Sequence, residues 1–250
     1  MEMVILTALG IGGATIVGAI IGFFVKDVDH KTNDMILGFA AGIMLAAAIN
    51  GLISPAFEQV SKGMLWLPAA GIFVGALFLN LMDRFTPHLH KISGVDSESH
   101  MNNKNLSRAL LFVMAVAIHN LPEGMAAGVS FGNEDVSAAI TVAVGIALQN
   151  IPEGIITVSP LVMAGVKRSR AVVLASITGL IEVVGTFIGF YVSVVSQHVL
   201  PFALAFAGGT MLYIISDEMI PETHSHGYER MATYSLLIGF TTMLMLDVLL

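Results

Sequence analysis

Long apolar runs dominate the chain, each about one bilayer crossing in length and each closed by a short polar or Gly- and Pro-containing break. About 20 apolar residues cross the hydrocarbon layer as a helix. Eight stretches reach that length: residues 4–25, 34–57, 64–82, 107–131, 136–164, 171–195, 201–221 and 231–250. None alternates apolar and polar positions with the period of two that a membrane barrel needs. The pattern predicts an all-α membrane protein, one polytopic domain over 1–250 with eight transmembrane helices.

Composition agrees with that solvent. Of 250 residues, 56% are hydrophobic and only 12% charged, with a mean hydropathy of +0.84, against about a quarter charged in soluble domains. There is no cysteine, so neither a disulfide framework nor a thiolate metal ligand is available. The first residues, "MEMVILTALG", are acidic and lack a small-residue cleavage site, so a removable signal peptide is not expected. No basic patch large enough for nucleic acid exists.

The placement of charge orients the helices. Ten of the eleven Lys and Arg residues fall in four alternate connections: Lys26 and Lys31; Arg84, Lys91, Lys104 and Arg108; Lys167, Arg168 and Arg170; and Arg230. Only Lys62 lies on the other side. The positive-inside rule puts those connections in the cytoplasm and both termini outside, in a multi-pass protein of the cell (inner) membrane. The longest connection, about 84–106, carries His88, His90 and His100, and His224 and His226 share its side. Ordinary solvation explains such loop histidines; a weak metal-collecting surface is the alternative.

Against this background "HNLPEG" (119–124) and "QNIPEG" (149–154) stand out, each placing a proline and a carboxylate inside an apolar span. At about 100° per residue, Glu123 projects between His119 and Asn120 on one helix face. Gln149, Asn150 and Glu153 repeat that fan on the next helix. Together the two fans offer one imidazole, three amides and two carboxylates. Pro122 and Pro152 lack the amide hydrogen owed to the carbonyls of Ile118 and Leu148, which predicts a bend. Gly124 and Gly154 allow close approach of a neighbouring helix or ion. Such a pair resembles the broken helices that build transporter sites.

Glu182, in "GLIEVVGTFIG", is a third acid at membrane depth. Each such charge costs roughly 2.5–3.5 kcal/mol to insert, a cost a divalent cation would offset. Repetition is also visible between "GFAAGIMLAAAINGLISPAFE" (38–58) and "AFAGGTMLYIISDEMIPE" (205–222), which suggests helices 1–3 and 6–8 related around the pair 4–5. Methionine is more often core filler than ligand; Met44 and Met211, at matching repeat positions, are candidates to line a pathway.

At these residues the chain resembles the ZIP (Zrt-, Irt-like) divalent-metal transporters, in the bacterial branch with HNxPEG on the fourth helix. The resemblance covers all eight spans and includes "SDEMIPETHSHG". It implies a ZIP-like 3+2+3 arrangement and metal ligands at His119, Asn120, Glu123, Gln149, Asn150, Glu153 and Glu182. It further implies a homodimer, and motion of helices one, four, five and six against the rest.

The expected function is transport of a divalent transition metal into the cytoplasm, with the metal as substrate and no other cofactor. His119, Glu123, Gln149 and Glu153 would hold a first ion. Asn120, Asn150 and Glu182, with the two shared glutamates, could hold a second. Zn2+ suits mixed imidazole and carboxylate, while Fe2+, Mn2+, Co2+ and Cd2+ fit the same donors. No nucleotide-binding motif supplies ATP energy. The alternatives are an intramembrane metalloenzyme, disfavoured by the lack of HExxH and by a single mid-membrane histidine, and a metal-sensing membrane protein without transport.

Overall fold

Backbone inside a bilayer must satisfy its own hydrogen bonds, and each apolar run does so as a helix. The computed structural model describes residues 1–25, 29–92, 104–132, 136–195 and 199–250, with side chains described outside 83–92, 104–112, 115 and 195. We number the long helices α1 (Glu2–Phe24), α2 (His30–Glu58), α3 (Trp66–Ile92), α4 (Lys104–Ser130), α5 (Val136–Met163), α6 (Arg168–Val195), α7 (Leu200–Thr223) and α8 (Glu229–Leu249). No strand occurs among the described residues. By length and hydropathy, seven of the eight, all but α4, qualify as membrane spans among the described residues.

Several ends differ from the hydropathy reading for local reasons. α2 starts at His30, four residues before the apolar run, because the Asp29 side chain caps it by accepting from the Thr32 amide at 3.0 Å. Hydrogen bonds from the Thr32 side chain and backbone hold the Asp29 carboxyl below its ordinary range. The expected 84–106 loop is shorter than drawn: α3 continues through Ile92 and α4 begins at Lys104. The helical spacing of Leu81, Phe85, Leu89 and Ile92 already carried that continuation.

α2 and α7 each contain a wider π-helical turn, at Ala47–Ile53 and Ile215–Met219. Each turn lies just before a proline, Pro55 and Pro221. A proline ring collides with the carbonyl four residues earlier in a regular helix, and the wider turn relieves that collision. At Pro122 and Pro152, where a bend is expected, no wider turn forms: α4 and α5 remain α-helical through both residues.

Glycine decides which helices lie together. α4 packs along α6, and α1 along both α5 and α6; α2 packs along α8, and α3 along α7. At each seam a glycine meets backbone: a Cβ on Gly128 would strike the Thr186 carbonyl, one on Gly18 that of Ile151, one on Gly42 that of Leu236 and one on Gly75 that of Phe206. Without a hydrophobic force between helices in lipid, such close approach supplies the van der Waals contact that holds them. Two groups result, α1/α4/α5/α6 and α2/α3/α7/α8, joined mainly where α2 meets α5 and α7 meets α4.

The two ends of the bundle differ. At one end Arg168 donates to the carbonyls of Phe23 (2.7 Å) and Val25 (3.1 Å), and His226 pairs with Asp34. Three of the four basic connections therefore adjoin one another. At the other end Ser137 donates to the Leu250 carbonyl. Met44 and Met211 are fully buried in an Ala- and Leu-rich core with Ile43, Leu52, Ile146 and Leu204, so both act as packing side chains in this state.

Candidate metal centre

The two PEG motifs meet at the middle of the bundle, and their glycines explain how. A Cβ on Gly124 would collide with the backbone of Glu182 on α6, and one on Gly154 with the backbone of Thr15 on α1. Each motif thus seats its helix against the one that carries a polar partner for the centre. Those partners are joined: the Thr15 hydroxyl donates to Glu182 Oε1 at 2.7 Å.

Glu182 is fully buried and is the acceptor for three helices. Besides Thr15, the side-chain amide of Asn120 donates to Oε1 and that of Asn150 to Oε2, each at 2.5 Å. The Asn150 amide also reaches the Ile11 carbonyl at 3.2 Å. Gln149 donates to Glu123 Oε2 at 2.6 Å and to Asn150 Oδ1 at 3.3 Å. Amide groups spent as donors leave their oxygens for something else. Asn120 Oδ1, Gln149 Oε1 and Glu153 Oε1 are buried with no hydrogen-bond partner among the described residues. An unsatisfied buried oxygen costs on the order of 1–3 kcal/mol, so three of them in one place ask for a cation.

All seven residues expected from the sequence come together here, in two sets. His119, Glu123 and Glu153 line a cavity of about 870 Å³, while Asn120, Asn150 and Glu182 sit behind it without reaching its wall. Gln149 bridges the sets through its bond to Glu123. The cavity runs past Pro160 and Ile214 to exposed Met163, Pro221 and Glu222, at the end where the basic connections adjoin. On the opposite side the buried core around Met44 and Leu204 closes the centre off.

Two residues escaped the sequence reading. Thr15 is a fully buried hydroxyl in an apolar helix, flagged only by the small residues around it in "GGATIVG". Glu218, on the π turn of α7, places Oε1 2.8 Å from His119 Nε2. Its signal was an acid inside an apolar span, obscured because Asp217 and Glu222 make that stretch read as a helix end. His88, His90 and His100 have side chains outside the described residues. His224 is not among the residues lining the cavity and has Nδ1 2.9 Å from the Ile220 carbonyl.

Chemically, the first set combines one imidazole, carboxylates and an amide oxygen, a borderline-to-hard donor set without sulfur that suits divalent ions such as Zn2+, Fe2+ or Mn2+. Among the described residues no three His, Asp or Glu side chains stand in a closed cation cage. An ion bound here would have to draw these donors together.

Comparison with known proteins places the chain in a family. The family model described as ZIP zinc transporter matches residues 93–247. The chain is 39% identical to the zinc transporter GufA of Myxococcus xanthus, over 94% of both proteins. It is 37% identical to the zinc transporter ZIPB of Bordetella bronchiseptica, over 94% of this chain and 77% of that one. Against the zinc transporter ZupT of Chlorobaculum parvum it is 37% identical, over 93% and 91%. The family is one of transporters and not of enzymes. With a match across most of its length and its row of long apolar helices, the chain is a multi-pass membrane protein and belongs to the ZIP zinc transporter family.

Proposed function

We propose that the chain carries divalent transition-metal ions, zinc foremost, across the plasma membrane into the cytoplasm. The observation that carries this reading is His119, Glu123 and Glu153 together on the wall of a cavity open on the basic side, with the partnerless oxygen of Glu153 among them and Gln149 bonded to Glu123 behind. The positive-inside rule makes that side cytoplasmic. The state described then has its centre open inward and sealed outward by the Met44 core. The two packing groups support a cycle in which α1, α4, α5 and α6 move against α2, α3, α7 and α8. Tracer zinc uptake by proteoliposomes tests the function; absence of uptake with correctly inserted protein would overturn it.

His119, Glu123, Gln149 and Glu153 hold the transported ion in this reading. Asn120, Asn150 and Glu182 stand as a hydrogen-bonded brace in the state described. A second ion there would have to turn both amides around and displace three hydrogen bonds to Glu182. One ion per chain is therefore expected at this centre in the wild type. Asn150→Asp, which adds a charge, should raise that to two and slow turnover, since tighter binding retards release. Elemental analysis beside initial uptake rates checks both.

The brace makes its own prediction. Thr15→Val keeps the shape but removes a donor to Glu182, a loss of about 1 kcal/mol. Uptake should fall a few-fold and Thr15→Ser should restore it; wild-type uptake in Thr15→Val would show that the hydroxyl is dispensable.

His119→Ala should weaken zinc binding more than manganese binding, because imidazole is the softer donor. Wild-type affinity should also decline below about pH 6, since imidazolium cannot ligate. Titration calorimetry with both metals distinguishes this from a structural role, which predicts equal losses.

A further inference from the structure

A second group of metal-type side chains lies outside this centre, where the cavity meets the basic end. It draws on α2 and on the turn after α7. Asp34 is fully buried, yet its Oδ2 has no hydrogen-bond partner among the described residues. Its Oδ1 is 3.0 Å from Nδ1 of His226. The opposite ring nitrogen of His226, Nε2, lies 4.0 Å from Glu222 Oε1. Ser225 Oγ flanks the same nitrogen at 3.3 Å. The exposed His30 imidazole lies nearly parallel on that of His226, with ring centres 4.3 Å apart and planes 20° apart. Glu222 also lines the cavity, as does Asn33 beside Asp34.

The two nitrogens of His226 have different surroundings. A buried carboxylate is an acceptor, so it fixes the proton on Nδ1 and leaves the Nε2 lone pair free to ligate. A carboxylate behind the far nitrogen of an imidazole is the usual support of a zinc-ligating histidine, setting both tautomer and ring direction. The distance on the ligating side fits too: an ion held at roughly 2.0–2.2 Å from nitrogen and oxygen sets those donors about 3–4 Å apart.

We propose that His226 Nε2 and Glu222, joined by His30, form a docking site for a single divalent transition-metal ion at the mouth of the cavity, with Asp34 as the positioning residue. Two donors stand ready in the state described. The exposed His30 reaches the ion by rotating off its stack, and water completes the shell. A site so assembled binds weakly and exchanges readily, as a mouth on an ion path requires. It is separate from the PEG-motif centre and goes beyond the transport reading.

Ion counting on the full-length purified protein, with Zn2+ alone as the probe, separates the two sites. His226→Ala should bind one ion fewer than the wild type, Glu123→Ala one fewer, and the double variant two fewer. Glu222→Gln, an exposed change that threatens no packing, should weaken the mouth site at least tenfold by the same measurement. Asp34→Asn should weaken it about 10–100-fold, while His224→Ala leaves it unchanged. With Cu2+, nitrogen splittings in the electron paramagnetic spectrum of the Glu123→Ala protein should report two imidazoles, falling to one in the added His30→Ala variant. Equal ion counts in His226→Ala and wild type, with Glu222→Gln also unaltered, would overturn the proposal and leave a plain His–Asp latch. A loss seen only in Glu123→Ala would sink the mouth site yet spare the transport reading.

Discussion

Replacing Glu123 by alanine is expected to lower metal uptake by about 100-fold or more, beyond the 10–100-fold typical of changes one shell further out. The Glu123 carboxylate lines the cavity and is the acceptor for Gln149. Its removal takes a charged ligand from the ion and also frees the amide of Gln149 to turn. Folding should survive, because the change removes a buried acid that accepts the hydrogen bond from Gln149, worth about 1 kcal/mol. Glu123→Gln sharpens the result: it keeps an oxygen for Gln149 but loses the charge, and should be nearly as inactive. Initial zinc uptake in proteoliposomes, beside a thermal melt of each purified variant, is the measurement. Uptake near the wild-type rate in either variant would remove Glu123 from the transport path.

The second large effect is expected from a residue without a side chain. Gly124→Val places bulk against the backbone of Glu182, where no rotamer can escape. Overpacking costs typically about 1–3 kcal/mol when side chains can shift, and backbone cannot shift without parting α4 from α6. Parting them breaks the bond from Asn120 to Glu182 and moves His119 and Glu123 together. Uptake should fall at least tenfold, by loosening the geometry of the centre, and the melting temperature should fall with it. Gly154→Val should do the same at the α1–α5 seam, where Thr15 waits. Gly10→Ala is the control: its Cβ would meet nothing within 4 Å, so neither quantity should change. A Gly124→Val protein with full activity would show that the seam is slack.

The helices were legible because apolar length is a direct physical requirement of the bilayer, and the repeated PEG motif was legible because two prolines and two carboxylates inside apolar spans are costly. Helix partnership was hidden. Nothing in the order of spans says that α4 lies on α6 and α1 on α5; that follows from which glycines face which carbonyls, a matter of three-dimensional register. Asn120 and Asn150 could be placed near the centre from the fan geometry alone. That their nitrogens face Glu182 could not, because an amide has a donor and an acceptor end and only its neighbours choose between them. Glu218 was hidden for a related reason. The π turn that carries it toward His119 arises from Pro221, whose effect in sequence looks the same as that of Pro122, where the helix runs on regularly.

The alanine- and leucine-rich core around Met44, Met211 and Leu204 sets the kinetic class of the protein. Such a layer is built mainly of apolar side chains, with the hydroxyls of Ser130 and Thr210 turned onto the carbonyls of Ala127 and Ala207, and stripping an ion of water there costs far more than thermal energy supplies. Among the described residues the cavity stops at this layer, and leak currents through the protein should be small. On the proposed transport cycle, every ion delivered would be matched by one rearrangement of the helix groups. Throughput is then paced by the protein and the lipid around it: it should saturate with metal concentration, rise steeply with temperature and slow in stiff, ordered bilayers.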